Sequence, residues 1–174
     1  MLKNSETVNL TCRLDKSVYE VLARDAESKG ISINSLINGM TKNYISWEKY
    51  AEKIGFIPLS KKAVSRIFDN LESDTIKKIA IEVGATIPKE MLYMTSKDSS
   101  FESISKIIPI WSKRFGIENI THEDSKITLT IHHGVSEKFS EYITELFKAM
   151  ADSLSFRLQV EVIDTNFVRM SMQK

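Results

Sequence analysis

The sequence predicts a two-part fold, in which a small N-terminal domain of one strand and two helices joins a larger α+β domain. Hydrophobic residues alternate strictly over residues 8–14 and then recur at helical spacing on both sides of Gly30. From residue 126 onward the pattern alternates again, with one long helical stripe between the alternating segments. Helices followed by strands in this order are typical of an α+β domain.

The N-terminal domain begins with a predicted strand, VNLTCRL, over residues 8–14. Asp15 is the expected N-cap of a first helix over about residues 16–28, and Gly30 ends that helix as a C′ glycine. Ser32 is the expected N-cap of a second helix. The predicted order of elements in this domain is therefore strand, helix, turn, helix.

A strand with one apolar face needs a partner for its backbone hydrogen bonds and for burial of that face. The next 60 residues contain no obvious strand, so we expect the partner to be the same strand of a second copy. Cys12 is expected in the core as a small hydrophobe rather than a redox group. The expected dimer core consists of the apolar residues of the strand and of both helical stripes: Val8, Leu10, Cys12, Leu14, Val18, Leu22, Leu36, Ile37 and Met40.

The NLTCRL strand, the KGISIN turn and the SINSLI start of the second helix resemble the ribbon-helix-helix family, the fold of the Arc and methionine repressors. The resemblance covers about residues 7–46. It implies an obligate dimer whose two-stranded β-ribbon enters the major groove of DNA. A helix-turn-helix over residues 16–45 is the structural alternative, but it gives the strand no role.

The resemblance also implies which side chains contact DNA. The outward-facing residues of the strand, Asn9, Thr11 and Arg13, are implied to contact base edges. The start of the second helix is implied to hold phosphate, largely through backbone amides, at Ser32, Ile33 and Asn34. For Ser32 and Asn34, a role as helix caps alone is an equally good interpretation.

The amino-acid composition limits which classes of protein this chain can belong to. The chain has 24 Lys and Arg against 23 Asp and Glu, so DNA binding would depend on a few placed cations and amides. A single cysteine excludes an internal disulfide, and no apolar run approaches the roughly 20 residues that span a membrane. We therefore expect a cytoplasmic protein of a bacterium or archaeon.

The second domain is predicted to start near Gly55 and Pro58, which gives domains 1–54 and 55–174. Gly84, Pro88 and Pro109 are expected to break or kink helices. The predicted elements are helices near 61–71, 75–84, 91 and 101–115, a strand at 127–133, a helix from Ser136, and strands at 156–162 and 167–172.

Catalytic signatures are missing from the sequence. It contains no glycine-rich phosphate loop, nucleophile elbow or zinc motif, so we expect no enzyme, no cofactor and no metal. If residues 118–133 form a hairpin, His122 and His132 lie roughly 15–20 Å apart. His132 and His133 point to opposite faces of a strand. A ligand contact through His133, beside Gly134, is a hypothesis for which a buried structural histidine is the plainer alternative.

These observations favour a sequence-specific transcriptional regulator, repressor or activator, that binds double-stranded operator DNA as a homodimer or tetramer. The second domain would then serve oligomerisation or the sensing of an effector. Two other classes stay open. One is an antitoxin-like or scaffold protein whose second domain binds a protein partner, and the other is a small-molecule-binding sensor module.

Overall fold

The computed structural model describes residues 8–95, 98, 100–123 and 125–174. The chain divides into two compact units, Met1–Ala51 and Glu52–Lys174. None of the helices in the described ranges is long and apolar enough to span a membrane.

The N-terminal unit is helical. Its helices are α1 (Lys16–Ser28) and α2 (Ile33–Asn43), followed by a π-helical turn (Tyr44–Glu48) and α3 (Lys49–Ile54), which crosses the division between the units. Ser32 caps α2 as predicted, since its Oγ accepts from the Ser35 amide at 3.1 Å. Gly30 adopts φ +63° at the end of α1, a conformation that glycine takes without strain. Asp15 stands at the N-cap of α1 but makes no side-chain cap.

The predicted ribbon-helix-helix start is wrong. Residues 8–15 carry no strand, and α1 follows this segment directly. Alternation specifies a strand only where a second strand offers its hydrogen-bonding edge. Within the described chain all four strands lie between residues 117 and 173 and pair with one another, and residues 8–14 pair with none of them.

The C-terminal unit is α+β. Its elements are α4 (Lys61–Asp69), α5 (Ser73–Thr95), α6 (Phe101–Ser112), β1 (Ile117–Glu123), β2 (Lys126–His132), α7 (Glu137–Ser153), β3 (Arg157–Ile163) and β4 (Phe167–Gln173). The strands form one antiparallel sheet in the order β1-β2-β4-β3. The predicted hairpin is present, with Glu123 opposite Lys126. α7 joins the two hairpins as the predicted long helix.

The predicted helix break at Gly84 and Pro88 is wrong, since α5 runs unbroken through both. α6 continues through Pro109, so the proline does not end that helix. Pro88 removes the amide that would bond to the carbonyl of residue 84, which costs one intrahelical hydrogen bond. Apolar side chains on both sides of this point are buried, among them Ile76 and Met91. We attribute the continuity of α5 to this packing, because tertiary burial commonly outweighs local propensity.

The core of the C-terminal unit surrounds α7. Gly84 of α5 lies against the α7 backbone, where a Cβ would come within 2.3 Å of the Leu146 carbonyl oxygen. Trp111 of α6 packs its ring 5.4 Å from that of Phe147 on α7. The inward side of the sheet closes the core with one set of apolar residues: Ile127, Leu129, Ile131, Val168, Met170 and Met172.

Candidate functional site

Residues 8–14 form an exposed segment in which apolar and polar side chains alternate. Val8 and Leu10 are each 88% exposed, and Cys12 is exposed as well. The predicted base-contacting residues Asn9, Thr11 and Arg13 lie between them and are also exposed. Exposed large hydrophobics that lie together are characteristic of binding surfaces, so residues 8–14 are a candidate for one.

Large hydrophobic side chains are also exposed on α1, α2 and the π-helical turn. Of the described residues 8–51, only Ala26, Leu36, Trp47 and Ala51 are buried hydrophobics. The large exposed ones number ten: Val8, Leu10, Leu14, Val18, Tyr19, Val21, Ile31, Met40, Tyr44 and Ile45. We call these ten residues the apolar surface. A unit with more large hydrophobics outside than inside has no adequate core of its own.

The predicted dimer-core residues divide by their burial in the single chain. Leu36 is buried, and Leu22 and Ile37 are half-buried. The remaining predicted members, Val8, Leu10, Cys12, Leu14, Val18 and Met40, are exposed. Sequence reasoning missed other exposed members, because Tyr19, Ile31 and Ile45 fall outside the narrow stripes on which it relied.

The predicted phosphate contacts lie at the first turn of α2. Ser32 and Asn34 are exposed, and Ile33 is half-buried. The Ser32 hydroxyl already accepts from the Ser35 amide. The amides of residues 33 and 34 precede the first intrahelical hydrogen bond, so the helix itself offers them no acceptor.

His133 is fully buried, with an exposed fraction of 0%. Its Nδ1 accepts from the Val135 amide at 3.2 Å, which places the ring proton on Nε2. Nε2 then donates to Ser140 Oγ at 2.8 Å, and Ser140 donates in turn to the Asp164 carbonyl. This chain of hydrogen bonds joins the turn after β2 to α7 and to the β3–β4 turn. The ring therefore has a structural role, while a ligand contact through it stays a prediction.

Burial lowers the pKa of His133 to about 4, and the nearby charge of Lys61 makes a smaller contribution to this shift in the same direction. The folded-state pKa thus lies below the ordinary value of about 6.5, so between these values the unfolded chain binds the extra proton. The contribution of this shift to the free energy of unfolding is fully present above pH 6.5, and it is lost progressively as the pH drops toward 4. From pH 7 to pH 5 we expect a loss on the order of 2 kcal/mol from this group.

Urea unfolding at pH 7, 6 and 5 measures this loss. The His133→Gln variant has no titrating ring, so its stability should change much less over the same range. The matched control is His122→Gln, which removes an exposed histidine from β1 and should keep the wild-type dependence. Equal pH dependence in the wild type and His133→Gln would contradict the assignment.

Metal binding finds no support in the described residues. No group of three or more His, Cys, Asp or Glu among them is placed to hold an ion. His122 lies opposite Ile127 at one end of the β1–β2 hairpin, while His132 lies opposite Ile117 at the other end.

No protein-family model matches the chain, and no curated protein matches its sequence at a significant level. Function is therefore inferred from the chain's own residues.

Proposed function

We propose that the protein is a DNA-binding transcriptional regulator that acts in the cytoplasm as a homodimer, formed through the apolar surface of its N-terminal unit. The observation that carries the proposal is the imbalance within residues 8–51, where ten large hydrophobics are exposed and four hydrophobics are buried. Units of this size with so little core usually need a partner for stability.

A second copy of the chain is the partner that we infer. Residues 8–51 contain six Lys and Arg against five Asp and Glu, so two copies repel each other little. The apolar surface includes members of residues 8–14 and of both helices, so two copies have exposed hydrophobics on several elements to bury together. Identical copies most often associate about a two-fold axis, with the same patch on both sides.

The polar members of residues 8–14 provide the DNA contacts in this proposal. Asn9, Thr11 and Arg13 are exposed beside Val8 and Leu10, so their side chains are available to DNA on the same segment that contributes to the dimer. Arginine can donate twice to guanine, asparagine can pair with adenine, and threonine can bond to a base or touch a thymine methyl. Free amides at the start of α2 would add contacts to phosphate.

The near-zero net charge predicts how this binding depends on salt. Binding to phosphate alone falls steeply with salt in proportion to the number of phosphates neutralised. Arg13 is the one cation of residues 8–14, so we expect phosphate contacts to contribute little to the affinity for DNA. Most of the preference between DNA sequences should then come from contacts with base edges.

Fluorescence anisotropy on two DNA duplexes tests the proposal. One duplex carries the sequence upstream of the protein's own gene and the other a scrambled version, each titrated at several salt concentrations. We expect the wild type to bind the upstream duplex at least about tenfold more tightly at physiological salt, because specific recognition usually exceeds this ratio. Equal affinity for both duplexes at every salt concentration would contradict sequence-specific regulation.

A further inference from the structure

A groove in the C-terminal unit combines an apolar floor with a cationic rim. It has a volume of about 310 Å³ and lies between the start of α4, the residues that follow α6 and the β2–α7 turn. Phe115, Val135 and Phe139 line its apolar part, and the rings of the two phenylalanines are centred 6.3 Å apart. The volume is at the lower end of the range for small-molecule sites.

Three cations line the same groove, namely Lys61, Lys113 and Arg114, and none of the described lining residues is acidic. Five described lysines form salt bridges with carboxylates, as Lys29 does with Asp25 at 2.6 Å. Neither Lys61 nor Lys113 forms a salt bridge with any described residue. Two lysines at one groove without a carboxylate partner among the described residues favour an anion from solution.

Lys61 is placed at the groove by the turn after β2. Gly134 adopts φ +58°, and the Lys61 Nζ lies 3.7 Å from where a Cβ on Gly134 would be. The ammonium group therefore lies over this turn. Its charge also reaches the buried His133, whose pKa it helps to lower. Two independent features, the position of Lys61 and the aromatic floor, thus meet in one recess.

We propose that this groove binds a small carboxylate with an apolar body, whose carboxylate lies between Lys61 and Lys113 while its hydrocarbon part covers Phe115 and Phe139. The cations alone would suit any anion, and the apolar floor alone would suit any hydrophobic molecule. An amphiphilic carboxylate satisfies both, because its charged end forms charge-assisted hydrogen bonds and its tail buries apolar area. The site does not depend on the proposed DNA binding.

Titration of the full-length protein with octanoate, followed by ¹H–¹⁵N NMR, tests the site residue by residue. We expect saturable shifts of the Gly116, Val135 and Phe139 amides with octanoate and much weaker shifts with 1-octanol, which has the same chain without the charge. In a Lys61→Met/Lys113→Met variant, octanoate affinity should fall at least about tenfold, since two charged partners are lost while the apolar stems remain.

A Lys62→Met/Lys77→Met variant is the matched control. It removes two exposed lysines that do not line the groove and should keep wild-type affinity. Three results would overturn the proposal: no shift of the groove amides with octanoate, equal binding of octanol and octanoate, or unchanged affinity in the Lys61→Met/Lys113→Met variant. Because readout is residue by residue, octanoate adsorbed on the apolar surface of the N-terminal unit is distinguished from binding in the groove.

Discussion

Replacing Leu10 and Val18 together with glutamate is expected to convert the protein from a dimer to a monomer. Leu10 is 88% exposed and Val18 is 45% exposed in the single chain, so the substitutions remove little packing within one copy. In the dimer they would remove four buried aliphatic side chains, each contributing about 1.5–3 kcal/mol, and bury charge in their place. The dissociation constant should rise more than about 1000-fold.

Sedimentation equilibrium at micromolar concentration measures this change. The wild type should have twice the chain mass of 19.9 kDa, and the Leu10→Glu/Val18→Glu variant should have the chain mass itself. An Ile57→Glu/Tyr93→Glu variant is the matched control, because it charges two apolar residues outside the N-terminal unit that are 74% and 79% exposed. A monomeric wild type at this concentration would contradict the proposed dimer.

Replacing Gly84 with alanine is expected to lower the free energy of unfolding by about 2–3 kcal/mol, as overpacking of a close contact does. The added Cβ would lie 2.3 Å from the Leu146 carbonyl oxygen and 3.1 Å from the Ala149 Cβ. Both neighbours belong to α7, so α5 and α7 would have to separate. This cost exceeds the roughly 1 kcal/mol that alanine contributes to a helix interior relative to glycine.

Gly39→Ala is the control that isolates the packing term. Gly39 is also inside a helix, α2, but a Cβ there would have nothing within 4 Å. That variant should be as stable as the wild type or up to about 1 kcal/mol more stable. Urea unfolding followed by circular dichroism measures both variants. A Gly84→Ala protein as stable as Gly39→Ala would show that α5 and α7 are not in close contact at this point.

Elements with a complete apolar stripe and a clear cap could be predicted from the sequence. Ser60 caps α4 through the Ala63 amide at 3.2 Å, as its position indicates. The stripe of α7 is buried at Phe139, Ile143, Leu146, Phe147 and Met150. In these segments local propensity and tertiary burial agree, so the pattern alone is sufficient.

Elements that depend on distant parts of the chain were predicted less well. Gly84 and Pro88 have the local properties of a helix break, and only the packing of α5 on α7 explains why the helix continues. The alternation of residues 8–14 is typical of a strand, but in the described chain that segment pairs with no other strand.

Some residues of the candidate sites could likewise be identified from a local pattern, while others are brought together only by the fold. The apolar and polar positions of residues 8–14 could be identified by alternation, and both kinds are exposed in the single chain. The hydrogen-bond chain from His133 to Asp164 joins residues that are far apart in sequence, so no local pattern indicates it. The cationic groove was missed for the same reason, because Lys61 and Lys113 meet only in the folded unit.

The most direct test of the central claim is the same anisotropy titration performed with an Asn9→Ala/Thr11→Ala/Arg13→Ala variant. Its matched control is Arg157→Ala/Gln159→Ala/Thr165→Ala, which removes one arginine and two neutral polar side chains that are exposed in the C-terminal unit. We predict that the first variant still dimerises but binds the upstream and scrambled duplexes equally, while the control keeps the wild-type preference. If the first variant keeps that preference, residues 9–13 do not read the DNA sequence and the account is contradicted.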